Sequence, residues 1–133
     1  MSALDLPFQR LREIRNNLLK LHKALLDSEK VTYERFHGRI RTQGEFLRLV
    51  LEDDWFSWLR PFSKFIVQID EALEAKEPMT LEQANQLLQE AEFLLRASEN
   101  GTLREKRYYE AIQRDPDIAF IHAATSGLLN LDR

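Results

Sequence analysis

The chain has no cysteine, which removes disulfides, thiolate metal ligands and a cysteine nucleophile from consideration. Four glycines and four prolines in 133 residues are too few and too dispersed to build a phosphate-cradling loop. No apolar run approaches the ~20 residues of a membrane-spanning helix, and the N-terminus lacks the apolar core of a signal peptide, so the expected compartment is the cytoplasm and no membrane contact is expected. Alternating polar and apolar residues are missing, which argues against a sheet. A net charge of −3 argues against a dedicated nucleic-acid binder. Neither an internal repeat nor a low-complexity segment is present, and Asn100-Gly101-Thr102 reads as a turn.

Helical periodicity runs through almost everything that remains. Between Trp55 and Leu73, the residues Trp55, Leu59, Phe62, Ile66, Ile69 and Leu73 recur at steps of four and three, one face of a helix. A second stripe of Trp58, Phe62, Phe65, Ile69 and Ala72 widens that face, so this segment is expected to be the element around which the others pack. Pro61 disfavours helical geometry at Arg60, predicting a kink or break there. Leu4, Leu11, Ile14, Leu18, Leu21 and Leu25 form a bundle seam in a first helix that begins near Asp5 to Pro7 and ends at Gly38. At 1.5 Å per residue that helix would be roughly 45 Å long, with Asp27-Ser28-Glu29 as its expected weak point.

Capping signals divide the rest. Thr42-Gln43-Gly44-Glu45 and Thr80-Leu81-Glu82-Gln83 read as capping boxes, and Asp53 or Asp54 caps a short helical stretch over Trp55 to Leu59. The helix from Leu81 is expected to stop at Ser98-Glu99-Asn100-Gly101, and the next to run from about Thr102 to Gln113. Asp115-Pro116 opens a last helix, expected to end at Gly127, with Leu128-Leu129-Asn130-Leu131 as a tail that docks or frays. The expectation is an all-α, single-domain bundle over residues 1–133, with about five or six helices and a long first one.

Three constellations invite a chemical reading. Glu34 and His37 have the Glu-x-x-His spacing of carboxylate-bridged di-metal bundles; such a site needs two of these pairs and two further glutamates, and the alternative is a histidine placed near helix C-terminal carbonyls. His37, Arg39, Arg41 and Gly44 lie beside the start of the Thr42 helix, where arginine forks and free N–H groups favour a phosphate or carboxylate. The competing reading is a solvated loop paired with Glu52, Asp53 or Asp54. The aromatic cluster of Trp55, Phe56, Trp58, Phe62 and Phe65 reads first as core. Phe56 and Val67 fall off the main stripe, which makes them candidates for an exposed interface. His22 and His122 are expected to be partly buried, with a backbone or tyrosine partner.

The residues Tyr33-Glu34-x-x-His37-Gly38-Arg39, Trp55-x-x-Trp58-Leu59-x-Pro61 and Ile66-Val67-x-Ile69-Asp70-Glu71 resemble those of a set of small bacterial proteins whose activity is unassigned. That resemblance covers about the middle third of the chain; it implies a bacterial cytosolic protein and carries over no activity, cofactor or site residue. The expected function is a non-enzymatic interaction or regulatory module that meets a protein partner or a second copy of itself, through the first helix or the aromatic region. The alternative is a bundle binding a small ligand, anion or metal, with enzymatic activity open, through Glu34, His37, Arg39 and Arg41. No cofactor is expected.

Overall fold

The structure is a computed structural model that describes residues 5–130. Its elements are α1 (Asp5–His37), α2 (Gln43–Glu52), a 3-10 helix (Asp54–Leu59), α3 (Arg60–Glu74), α4 (Leu81–Leu94), α5 (Leu103–Arg114) and α6 (Pro116–Leu129), with no strand among the described residues. The fold is an all-α bundle with six helices and a long first one, as the periodicity predicts.

Local signals set the boundaries. Gly38 ends α1 at φ +86°, a conformation glycine adopts without a Cβ clash. Thr42, Thr80 and Thr102 accept the N–H of the residue three positions on, at 3.0, 3.1 and 3.2 Å. The box is reciprocal at Thr80 and Thr102. At α2 the Glu45 carboxylate reaches one residue further back, to the Arg41 N–H at 3.3 Å. Asp53 accepts from Trp55 N and Asp115 from Asp117 N, and Pro61 and Pro116 sit in first turns where no intrahelical donor is lost.

The organising element is α1, not the segment after Trp55. Leu11, Ile14, Leu18, Leu21 and Leu25 are all fully buried, and α1 packs against α6, α3, α4 and the 3-10 helix. Leu4, placed on the same seam by its spacing, lies outside the described residues. Phe62, Phe65, Ile66 and Ile69 of α3, Ala84, Leu87, Ala91 and Leu94 of α4, and Tyr108, Ala111 and Ile118 close on that seam.

Phe56 is a correction. It is 0% exposed, so it is core and no interface residue. A 3-10 helix has three residues per turn, so positions i and i+3 share a face. Phe56 and Leu59 therefore point inward together, whereas an α-helical period sets Phe56 aside. Two ends also differ from expectation. α4 stops at Leu94 and closes with an Arg96 N–H to Phe93 carbonyl bond, ahead of Ser98. α6 runs through Gly127 to Leu129, because half-buried Leu128 and Leu129 pack against the core and outweigh the ~1 kcal/mol that a helical glycine costs. Leu131 lies outside the described residues.

Leu18→Ala should destabilise the protein by about 2–5 kcal/mol, whereas Leu19→Ala, one position around on the solvent side of α1, should change little. Equilibrium urea unfolding of the two variants checks the pair; similar losses would contradict a seam centred on α1.

Candidate functional site

Beyond Leu25 the α1 seam continues to Glu29, four residues on, and the carboxylate is only 1% exposed. Three donors hold it. Trp55 Nε1 and an Arg107 guanidinium nitrogen both donate to Oε2, at 2.8 and 2.9 Å, and Arg114 donates to Oε1 at 3.3 Å. Arg114 also donates to the Ser28 hydroxyl through Nε at 2.9 Å. The Arg107 guanidinium lies over the rings of Trp55 and Trp58, 4.9 and 5.9 Å from their centroids, so each aromatic face adds to its stabilisation. Arg107, Ala111 and Arg114 are spaced i, i+4, i+7, which places both arginines on the face of α5 that meets α1. This clamp joins α1, the 3-10 helix and α5, and its carboxylate is satisfied by the protein's own groups.

A second polar contact ties α5 to α6. The Tyr108 hydroxyl and His122 Nδ1 are 2.6 Å apart. Burial raises the Tyr108 pKa well above that of a free phenol, so the hydroxyl keeps its proton, and the His122 tautomer sets which of the two groups donates. Burial also lowers the pKa of His122 and of His22, because a charged imidazole loses solvation there.

The residues singled out in sequence are close in the chain without forming one cradle. The Glu34 carboxylate accepts the Ile40 N–H at 2.8 Å, which leaves the Glu34/His37 pair divided. The His37 ring instead packs on Tyr33 and edge-on against Trp55, at centroid distances of 4.4 and 5.6 Å. Arg39, Arg41 and Gly44 are exposed. Two carboxylates, Glu34 and Glu45, take the N–H groups of Ile40 and Arg41, and the Thr42 hydroxyl takes that of Glu45, so these three donors are engaged and two of them lie against negative charge. No group of three or more histidine, aspartate or glutamate side chains among the described residues is placed to hold a metal ion. Val67 is 53% exposed, between Lys64 and Glu71 on its helix face.

The surface carries two further features. α6 has no charged residue from Ile118 to Asn130, and its outer stripe of Phe120, Ala123, Ala124 and Gly127 is exposed, with Phe120 at 78%. Beside Phe120 is a hollow of about 340 Å³, bordered by Lys20, Lys23, Ala24, Asp27, Asp117 and Ile121. A larger hollow of about 420 Å³ lies between α3 and α4. No helix among the described residues is long and apolar enough to cross a membrane.

Comparison with known proteins yields no match to a family model, a curated protein or a solved structure.

Sequence reasoning overlooked the clamp and placed the weak point of α1 there. The signal was present: a glutamate in phase with Leu18, Leu21 and Leu25 occupies a core position, which a charge tolerates only when paired. Glu29→Ala should cost roughly 3–5 kcal/mol, read by urea unfolding, and Glu29→Gln less, since an amide oxygen still accepts from Trp55. Equal losses would mean that the charge alone, with no share from side-chain volume or from the oxygen that accepts from Trp55, sets the cost.

The histidines set a pH dependence. Their folded pKa values lie below the unfolded value of about 6.5, so on acidification the unfolded chain binds protons first. Their contribution to stability is therefore complete above that value and declines as the pH falls through it toward the lower folded pKa. Melting temperatures measured from neutral to mildly acid pH should fall, and the His22→Gln, His122→Gln double variant should flatten the upper part of that slope.

Proposed function

We propose that this chain is a cytoplasmic, non-enzymatic interaction module that pairs with a second copy of itself through the outer face of α1 and α6. The observation that carries this reading is the uncharged outer stripe of α6, with Phe120 projecting from it. A helix that is apolar on every side is ordinarily covered on every side. Here one side faces the core through Ile118 and Thr125, and the other faces water.

A second copy suits this face because knob and hollow lie side by side. Phe120 projects next to the hollow over Ala24 and Ile121, and the small residues Ala123, Ala124 and Gly127 allow a neighbouring helix to approach closely. The charges around the hollow are also self-complementary. α6 runs antiparallel to α1, since Pro116 borders Ser28 and Val31, whereas Phe120 borders Lys20 and Ala24. Asp117 consequently marks one end of the hollow and Lys20 the other, while Lys23 and Asp27 between them pair with each other at 3.6 Å. A two-fold axis near Phe120 sets the basic end of one copy against the acidic end of its mate, the isologous pairing common in homodimers. A weak, concentration-dependent dimer is the expected form of such a pairing.

Sedimentation velocity over a dilution series should show a mass rising from monomer to dimer, with Phe120→Ser holding the protein monomeric and folded. Lys20→Glu should weaken the dimer, and Lys20→Glu combined with Asp117→Lys should restore part of it. A parent protein that stays monomeric at every concentration, or a Phe120→Ser variant that dimerises as before, would remove the reading.

A further inference from the structure

We propose that the groove between α3 and α4 docks a cationic peptide segment that carries a small apolar anchor; the site lies apart from the α1–α6 face and does not depend on it. The groove has a volume of about 420 Å³ and an apolar floor that includes Ala72, Met79 and Leu87. Its walls carry Gln83, Gln86 and Glu90, so amide and carboxylate groups line a hollow with room for an aliphatic side chain. The Gln83 amide oxygen is engaged by the Thr80 N–H at 2.9 Å, which leaves its NH2 to donate to a peptide carbonyl. Gln86 offers both a donor and an acceptor, and Glu90 accepts from Gln68 through one oxygen at 3.1 Å, leaving the other for a ligand.

Charge selects the class of partner. From Pro61 to Leu95 the chain bears seven carboxylates against two lysines, with Glu71, Glu74, Glu77 and Glu82 exposed. Of the seven, Asp70 is paired with Arg15 at 2.7 Å. Only Glu77 and Glu90 of the seven border the hollow, and no lysine or arginine does, whereas Asp70 and Glu74 border another with Arg12 and Arg15 and Glu82 a third. Two carboxylates over an apolar floor favour lysine and arginine side chains over nucleic acid and acidic lipid surfaces. An apolar anchor in the hollow flanked by basic residues over the rim combines the two terms: burial supplies affinity, and charge supplies orientation and association rate.

The test uses a fluorescein-labelled synthetic peptide with four lysines around one central leucine, followed by fluorescence anisotropy against the full chain. Binding should appear and should weaken with salt. It should drop by about ten-fold in the Glu77→Gln, Glu90→Gln double variant, while Glu52→Gln with Glu110→Gln, the same charge change elsewhere, leaves it nearly unchanged. Replacing the central leucine by alanine should also weaken binding, and replacing the lysines by glutamate should abolish it. Equal weakening in the two double variants would reduce the effect to diffuse charge and overturn the proposal, as would a lysine peptide that fails to bind. The Phe120→Ser variant should bind normally; loss of binding there would move the peptide to the α1–α6 face and equally overturn it.

Discussion

The buried carboxylate of Glu29 is the constraint around which the far half of α1 is arranged. A glutamate at 1% exposure is tolerated only if its charge is met, and here the partners come from two other elements: Trp55 from the 3-10 helix, and Arg107 and Arg114 from α5. Hydrophobic burial alone is indifferent to small shifts of one helix past another, whereas three directed bonds to two oxygens allow one register. The leucine seam from Leu11 to Leu25 therefore fixes α1 against α3, α4 and α6, and the clamp fixes its continuation against the remaining elements. The arginines retain partial contact with solvent, with side chains 22% and 31% exposed, so only the carboxylate bears the full cost of desolvation.

Aromatic packing extends from this point. Arg107 stacks on both tryptophans, Phe62 meets Tyr108 edge-on at 5.5 Å, and Tyr108 continues to His122 on α6. A chain of contacts thus runs from Trp55 to the helix whose outer face is proposed to meet a second copy. The interior is closely packed, with Trp58 Nε1 buried without a hydrogen-bond partner, and the features that invite a partner lie outside: the uncharged stripe of α6 and the groove of α3 and α4 bordered by Glu77 and Glu90. The two surfaces differ in character, one self-complementary in shape and charge, the other of a single sign.

Helix starts, and the end of α1, were legible because they depend on local chemistry. A threonine three residues before a glutamate or glutamine, an aspartate before a proline, and a glycine at positive φ each act within one turn of chain. The α1 seam was legible because its period persists over more than four turns. Phe56 was misplaced because six residues of 3-10 helix follow a different period, which no short window separates from an α-helical one. Of the candidate site residues, Glu34, His37, Arg39, Arg41 and Gly44 were neighbours by sequence alone, and the fold turns Glu34 and Glu45 onto backbone N–H groups between them. The clamp was invisible for the opposite reason, since Glu29 and Arg114 lie 85 positions apart; only the phase of Glu29 on the seam hinted at it.

The most direct test of the clamp is native-state hydrogen exchange along α1 in the unmodified protein. If Glu29 fixes the distal half, the amides from Leu26 to about Tyr33 should exchange with the same opening free energy as those from Ile14 to Leu25, as one cooperative unit. Rapid local exchange beyond Leu25, with the proximal seam still protected, would show that the buried carboxylate and its arginines do not hold that half of the helix.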